Sequence, residues 1–140
     1  MASESSLVDY INADSGADLL AVAVTIDCSD PHLLADFWQE AIGFRERAGD
    51  GDPYVTLWDA RGGATLNILT LQRVPEPKIC KLRGHLDLFV RDLDDKVARL
   101  QVLGATMLTS ASKGHGSSGF RVAVLADPEG GEFCVVSPPD

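Results

Sequence analysis

The sequence predicts an α+β fold built from two copies of one βαβββ module, residues 21–72 and 84–138, joined by a linker over 73–83. Two aligned matches and one repeated pattern predict it. Ala23 to Ile42 sets against His85 to Leu103, so that Asp30 falls on Asp92 at an offset of 62. Val55 to Ile68 sets against Ala123 to Val136, so that Asp59 meets Asp127 and Gly62-Gly63 meets Gly130-Gly131 at an offset of 68. In both copies alternating apolar residues lead to an Asp, a helical pattern follows, and a glycine closes it.

In the first copy, Val22 to Cys28 alternates and is rich in β-branched residues, which predicts a strand. Asp30-Pro31 starts a helix, because Asp can cap the free N–H groups and Pro is tolerated at the first helical position. Leu34, Phe37, Trp38, Ala41 and Ile42 recur at helical spacing as one apolar face. Gly43 suits the left-handed position after that helix. Phe44 to Ala48, Tyr54 to Asp59 and Ala64 to Leu71 read as strands, with turns at Asp50-Gly51 and Arg61-Gly62-Gly63.

The second copy keeps the order. Gly84 to Val90 reads as a strand, and Asp92 caps a helix with Asp94 and Asp95 in its first turn, where the helix end is positive. Leu93, Val97, Leu100 and Leu103 are its expected buried face. Thr106 to Ser110, Phe120 to Ala126 and Glu132 to Val136 read as strands. Residues 1–20 stand outside the repeat. Leu7, Val8 and Ile11 suit a short amphipathic helix there, and a loosely held tail is the competing expectation.

A chain of 140 residues can bury a core without staples. The net charge of −9 and pI near 4.6 repel nucleic-acid phosphates and anionic lipid, so neither nucleic acid nor membrane is an expected partner. Acidic residues stand where a secretory signal would be basic. The odd set of cysteines (Cys28, Cys80, Cys134) lacks CxxC spacing and fits reduced thiols, so a cytoplasmic location is expected.

SDP before a helix with FWQEAIGF, the VPEPK linker, HLDLFVRDLD, LGA and DPEGGEF, in this order, resemble the glyoxalase / bleomycin-resistance / dioxygenase superfamily, the vicinal-oxygen-chelate group. The likeness covers roughly residues 22–138. It implies that the two modules build an open eight-stranded curved sheet whose concave face binds a small molecule, and that the protein is a homodimer. Metal-using members hold a divalent ion with about four His, Glu or Gln side chains from the first and last strands of each module.

Carried over by the repeat, those positions fall on His85, on Ala23 62 residues earlier, near Cys134, and on Leu66 68 residues earlier. Ala and Leu have no donor atom, so the full metal site is not expected, and no cofactor is. A reduced divalent-metal site with His85 and Glu132 is the weaker alternative.

His85 is the candidate for chemistry, since imidazole titrates near neutrality and can act as acid or base. A half-buried His bonded to a backbone carbonyl is the alternative. Asp87, two residues on and on the same strand face, can orient the ring as a second catalytic residue or can simply bond nearby backbone. Asp27 shares a face with Ala23 and Thr25, and the repeat mates of Ala23, Thr25 and Asp27 are His85, Asp87 and Phe89. Asp27 and Asp87 together would shift each other's titration, although solvated carboxylates explain them too. Trp58, Phe89, Phe120, Glu132 and Cys134 complete the expected ligand-binding set. Trp58 and Phe120 can line a ligand or pack in the core, as can Phe133; Trp38 reads as core, and Cys134 also reads as an inert buried thiol. His115, in the KGHGSSG loop, reads as a solvent-exposed histidine or as part of a closing loop.

Two functions follow as expectations. One is binding or sequestration of a small organic molecule. The other is a lyase or isomerase reaction on an α-oxygenated substrate, with His85 as base or remaining ligand. A non-catalytic structural or regulatory module is a third.

Overall fold

The computed structural model describes residues 4–11, 23–59, 67–113 and 119–139. Leu66, His115, the Arg61-Gly62-Gly63 turn and most of the region before Ala23 lie outside the described residues. The chain divides into two compact units, Met1–Pro77 and Lys78–Asp140, and the division falls inside the expected linker.

The first unit contains α1 (Glu4–Ile11), β1 (Ala23–Cys28), α2 (Pro31–Ile42), β2 (Glu46–Ala48), β3 (Tyr54–Trp58) and β4 (Ile68–Arg73). Its sheet runs β1-β4-β3-β2. The second unit contains β5 (Asp87–Phe89), α3 (Leu93–Leu103), β6 (Thr106–Lys113), β7 (Arg121–Ala126) and β8 (Glu132–Ser137), and its sheet runs β5-β8-β7-β6. Each unit is therefore βαβββ, with its first and last strands parallel and its other pairs antiparallel.

The helix signals act as their chemistry requires. The Asp30 carboxylate accepts from Leu33 N at 3.1 Å, and the Asp92 carboxylate accepts from Asp95 N at 3.0 Å. Gly43 (φ 75°) and Gly104 (φ 117°) close the two helices in the left-handed region, where a side chain would be strained. Along α2, Leu34, Ala35, Phe37, Trp38 and Ala41 are buried, and the helix packs on β3 and β4.

On α3 only Leu93, Val97 and Leu100 are buried. Leu103, expected on that face, is 40% exposed. Ten positions beyond Leu93 it has rotated by about 80° from the stripe, since each residue turns the helix by about 100°. The β6 strand is longer than expected and carries register shifts between Met107 and Thr109 and between Thr109 and Ser112.

Strand alternation gives each sheet two unlike faces. In the first unit Val55, Leu57, Leu69 and Leu71 are buried on the side bearing α2. Ala23, Thr25 and Asp27 alternate to the other side and are exposed. In the second unit Ala123, Leu125, Phe133 and Val135 form the buried side under α3. His85, Asp87, Phe89, Glu132, Cys134 and Val136 belong by parity to the opposite, open side.

The DPEGG motif is a structural turn. Asp127 Oδ1 accepts from Glu129 N and Gly131 N, both at 2.9 Å. A Cβ on Gly131 would lie 2.9 Å from Asp127 Oδ2, so the second glycine is needed to let the carboxylate approach.

Candidate functional site

The open face of the second unit collects three reactive side chains. The parallel register of β5 on β8 sets Asp87 beside Cys134. His85 lies two residues before Asp87, so its side chain takes the same face. His85 Nε2 is 3.1 Å from Asp87 Oδ1, with the two side chains 40% and 47% exposed. An Nε2–H donated to the carboxylate leaves Nδ1 of the neutral ring as an acceptor.

The Cys134 thiol also gives its hydrogen to Asp87. Partial burial pushes this thiol up from its ordinary range, and the Asp87 charge and that hydrogen bond push the same way. Cys134 is therefore held as a thiol rather than a nucleophilic thiolate. Asp87 sits between the two groups. A Cys–His nucleophile needs the imidazole next to the sulfur as its base, so this order does not suit it.

An aromatic pair flanks the cluster. Phe89, the next residue of β5 on that face, is 67% exposed. Its ring meets Phe120 edge to face, with centroids 6.2 Å apart. A polar trio thus stands beside exposed aromatic surface.

Glu132 is on the same face but is already engaged. Its Oε1 accepts from Lys78 Nζ at 2.8 Å, and its Oε2 accepts from Leu82 N at 3.1 Å. Those two bonds hold its carboxyl down to about 2 from an ordinary 4.5. Glu132 pins the linker to the sheet, which engages both oxygens of the residue that the sequence offered, as the weaker alternative, for a reduced metal pair with His85. The trio that does converge is His85, Asp87 and Cys134, whose ligand atoms all lie within 4.8 Å of one another.

The first unit's open face is decorated differently. Trp58 and Ile68 are buried there with Ala48, and Leu7 and Tyr10 of α1 pack against them. The Asn67 amide donates to the Tyr10 hydroxyl. Burial, with the charge of Asp59, raises the Tyr10 hydroxyl. Trp58, expected among the ligand-binding residues, is thus 1% exposed under the chain's own helix. Thr56 and Thr70 hydroxyls bond each other at 3.1 Å across β3 and β4. Asp27 is exposed at the end of β1.

The register also corrects the repeat. Thr25 pairs with Thr70, and Asp87 pairs with Cys134. With Thr25 the mate of Asp87, the mate of Cys134 is Thr70, not Leu66. The Gly-Gly match at an offset of 68 equated two turns, and the strands after them are equated four residues out of step. With Ala23 lacking a donor and the Thr70 hydroxyl bonded to Thr56, the first unit does not fit an imidazole-and-carboxylate metal site.

Residues 23–136 match the model of a family described as a glyoxalase-like domain. The chain belongs to the glyoxalase-like domain family. Solved structures agree on the fold of this glyoxalase-like protein. A glyoxalase/bleomycin resistance protein/dioxygenase family enzyme from Burkholderia phytofirmans PsJN is 17% identical, with a TM-score of 0.67 over 83% of this chain and 96% of that one. A glyoxalase-related enzyme from Fulvimarina pelagi is 17% identical, with a TM-score of 0.63 over 86% and 88%. A member of the glyoxalase/bleomycin resistance protein/dioxygenase superfamily from Sphaerobacter thermophilus DSM 20745 is 25% identical, with a TM-score of 0.60 over 84% and 95%. No curated protein matches the chain. Among the described residues, no helix of this glyoxalase-like protein is long and apolar enough to cross a membrane.

Sequence reasoning named His85, Asp87, Phe89, Phe120 and Cys134, and paired only His85 with Asp87. It missed that Asp87 joins His85 to Cys134, because that contact needs the β5–β8 register. It also missed Lys78 and Leu82 as the partners of Glu132. Nothing local in the sequence places residue 78 beside residue 132.

Proposed function

We propose that this glyoxalase-like protein binds a small, partly apolar organic molecule on the open face of its second unit. The observation that carries this reading is the His85–Asp87 pair at 3.1 Å next to the exposed Phe89 ring. The imidazole, with Nε2–H given to the carboxylate, presents Nδ1 as an acceptor for a ligand hydroxyl. Phe89 and Phe120 supply the apolar contact.

The test is calorimetric titration of the full chain with a panel of aromatic antibiotics and small α-oxygenated metabolites. At least one compound is expected to bind. His85→Ala and Phe89→Ala are each expected to weaken it about tenfold or more, since tenfold corresponds to about 1.4 kcal/mol. A panel without a binder, or a binder indifferent to both changes, removes the proposal.

A second reading uses the same pair. In it His85, oriented by Asp87, acts as general base for a lyase or isomerase step on an α-oxygenated substrate. Turnover that survives His85→Ala removes that reading and leaves the binding one standing.

A further inference from the structure

α1 stands outside the duplicated scaffold: it precedes residues 23–136, the part that matches the family model. It nevertheless sits on the first unit's open face, where Leu7 and Tyr10 pack against Trp58, Ile68 and Ala48. The Asn67 amide donates to the Tyr10 hydroxyl. We propose that α1 is a displaceable cover over a binding site on the first unit, in which Tyr10 stands in for a neutral, phenol-bearing small molecule.

The contacts of Tyr10 define the class of ligand. Its ring rests on an apolar floor, and its hydroxyl oxygen accepts from an amide. A free phenol can make both interactions in its place. The exchange costs no hydrogen bond, since the incoming oxygen takes the Asn67 amide as Tyr10 leaves it. Asp59 adds selectivity by charge. Burial and the Asp59 carboxylate raise the Tyr10 hydroxyl, so this position favours a neutral hydroxyl and opposes an anion. An aromatic carboxylate of the same shape is therefore disfavoured.

α1 is built to come away. It has eight residues, and isolated helices shorter than ~12–15 residues are marginal in water. Its helical form thus depends on the packing of Leu7 and Tyr10, while Val8 on its other side is 53% exposed. A tethered segment competes with free ligand by its closed population alone. A cover closed with a tenfold preference lowers apparent affinity about tenfold. The first unit's face is then available only on release of α1. This site shares no residue with the one proposed around His85 and Phe89, and it stands whether or not that one does.

The experiment follows amide NMR signals of the labelled full chain during titration with 4-methylphenol, the tyrosine side chain as a free molecule. In Leu7→Ser/Tyr10→Ser, 4-methylphenol is expected to shift Trp58, Asn67 and Ile68 and to bind at least about tenfold tighter than to the parent chain. Asn67→Ala added to that variant is expected to weaken binding several-fold, and His85→Ala is expected to leave it unchanged. 4-Methylbenzoate is expected to bind the double variant at least about tenfold more weakly than the phenol. Circular dichroism shows that each variant is folded. Should the double variant not fold, Tyr10→Phe, which removes one oxygen and frees the Asn67 amide, is expected to tighten 4-methylphenol binding about threefold or more. Equal affinity of parent and released variants overturns the proposal. So do shifts that avoid Trp58 and Asn67, or a benzoate that binds as well as the phenol.

Discussion

The two units share strand order, helix caps and register logic, yet their open faces differ in kind. In the first, Trp58, Ile68 and Ala48 lie beneath Leu7 and Tyr10 of α1, and two threonines bond each other. In the second, an imidazole, a carboxylate and a thiol meet beside an exposed phenylalanine. One duplicated scaffold thus carries a face partly covered by the chain's own helix and a face whose polar trio and phenylalanine stay exposed. The difference lies in a few side chains, since the backbone instructions are the same in both.

Substitutions at matching depths sharpen that contrast. Trp58→Ala is expected to destabilise the protein by about 3–5 kcal/mol, the range for removing a large buried aromatic. Phe89→Ala, on the face left open, is expected to cost less than about 1 kcal/mol. Denaturant unfolding measures both, and equal losses would break the distinction between the faces. Next in size is Asp127→Ala, which strips the acceptor from Glu129 N and Gly131 N and is expected to cost about 1–3 kcal/mol. Its effect belongs to the turn and is expected to leave ligand titrations unchanged.

A pH dependence separates Glu132 from the reactive trio. Its folded value of about 2 lies below the ordinary 4.5, so the bonds to Lys78 and Leu82 stabilise the fold above about pH 4.5. That contribution disappears as pH falls towards about 2. Glu132→Gln is expected to melt below the parent protein at neutral pH, and the gap is expected to close across that acid window in thermal scans. A gap independent of pH would show that the linker is not held by this carboxylate.

The smallest effect is kinetic. Cys134 is expected to alkylate more slowly than the same cysteine in the unfolded chain near pH 8, because burial and Asp87 keep it a thiol. Asp87→Asn is expected to speed the reaction, which mass spectrometry of the modified peptide can follow.

The fold was legible because its signals are local. Asp30-Pro31 and Asp92 announce helices, Gly43 and Gly104 end them, and alternation marks the strands. The candidate site was legible only in part. His85 and Asp87 share a face by parity, but the approach of Cys134 depends on a parallel pairing across 47 positions of chain. Matching two Gly-Gly turns misplaced the repeat mate of Cys134 on Leu66, where the ladder has Thr70. Trp58 shows the same limit: an aromatic in a strand reads alike whether a ligand or a helix from residues 4–11 covers it.

The most direct measurement is a two-dimensional amide NMR spectrum of the labelled full chain, titrated with the best binder from the panel. Shifts concentrated at His85, Asp87, Phe89, Phe120 and Cys134 are the result expected. Shifts confined to residues of the first unit, such as Thr25, Asp27 and Thr70, would contradict the assignment of chemistry to the second unit's open face.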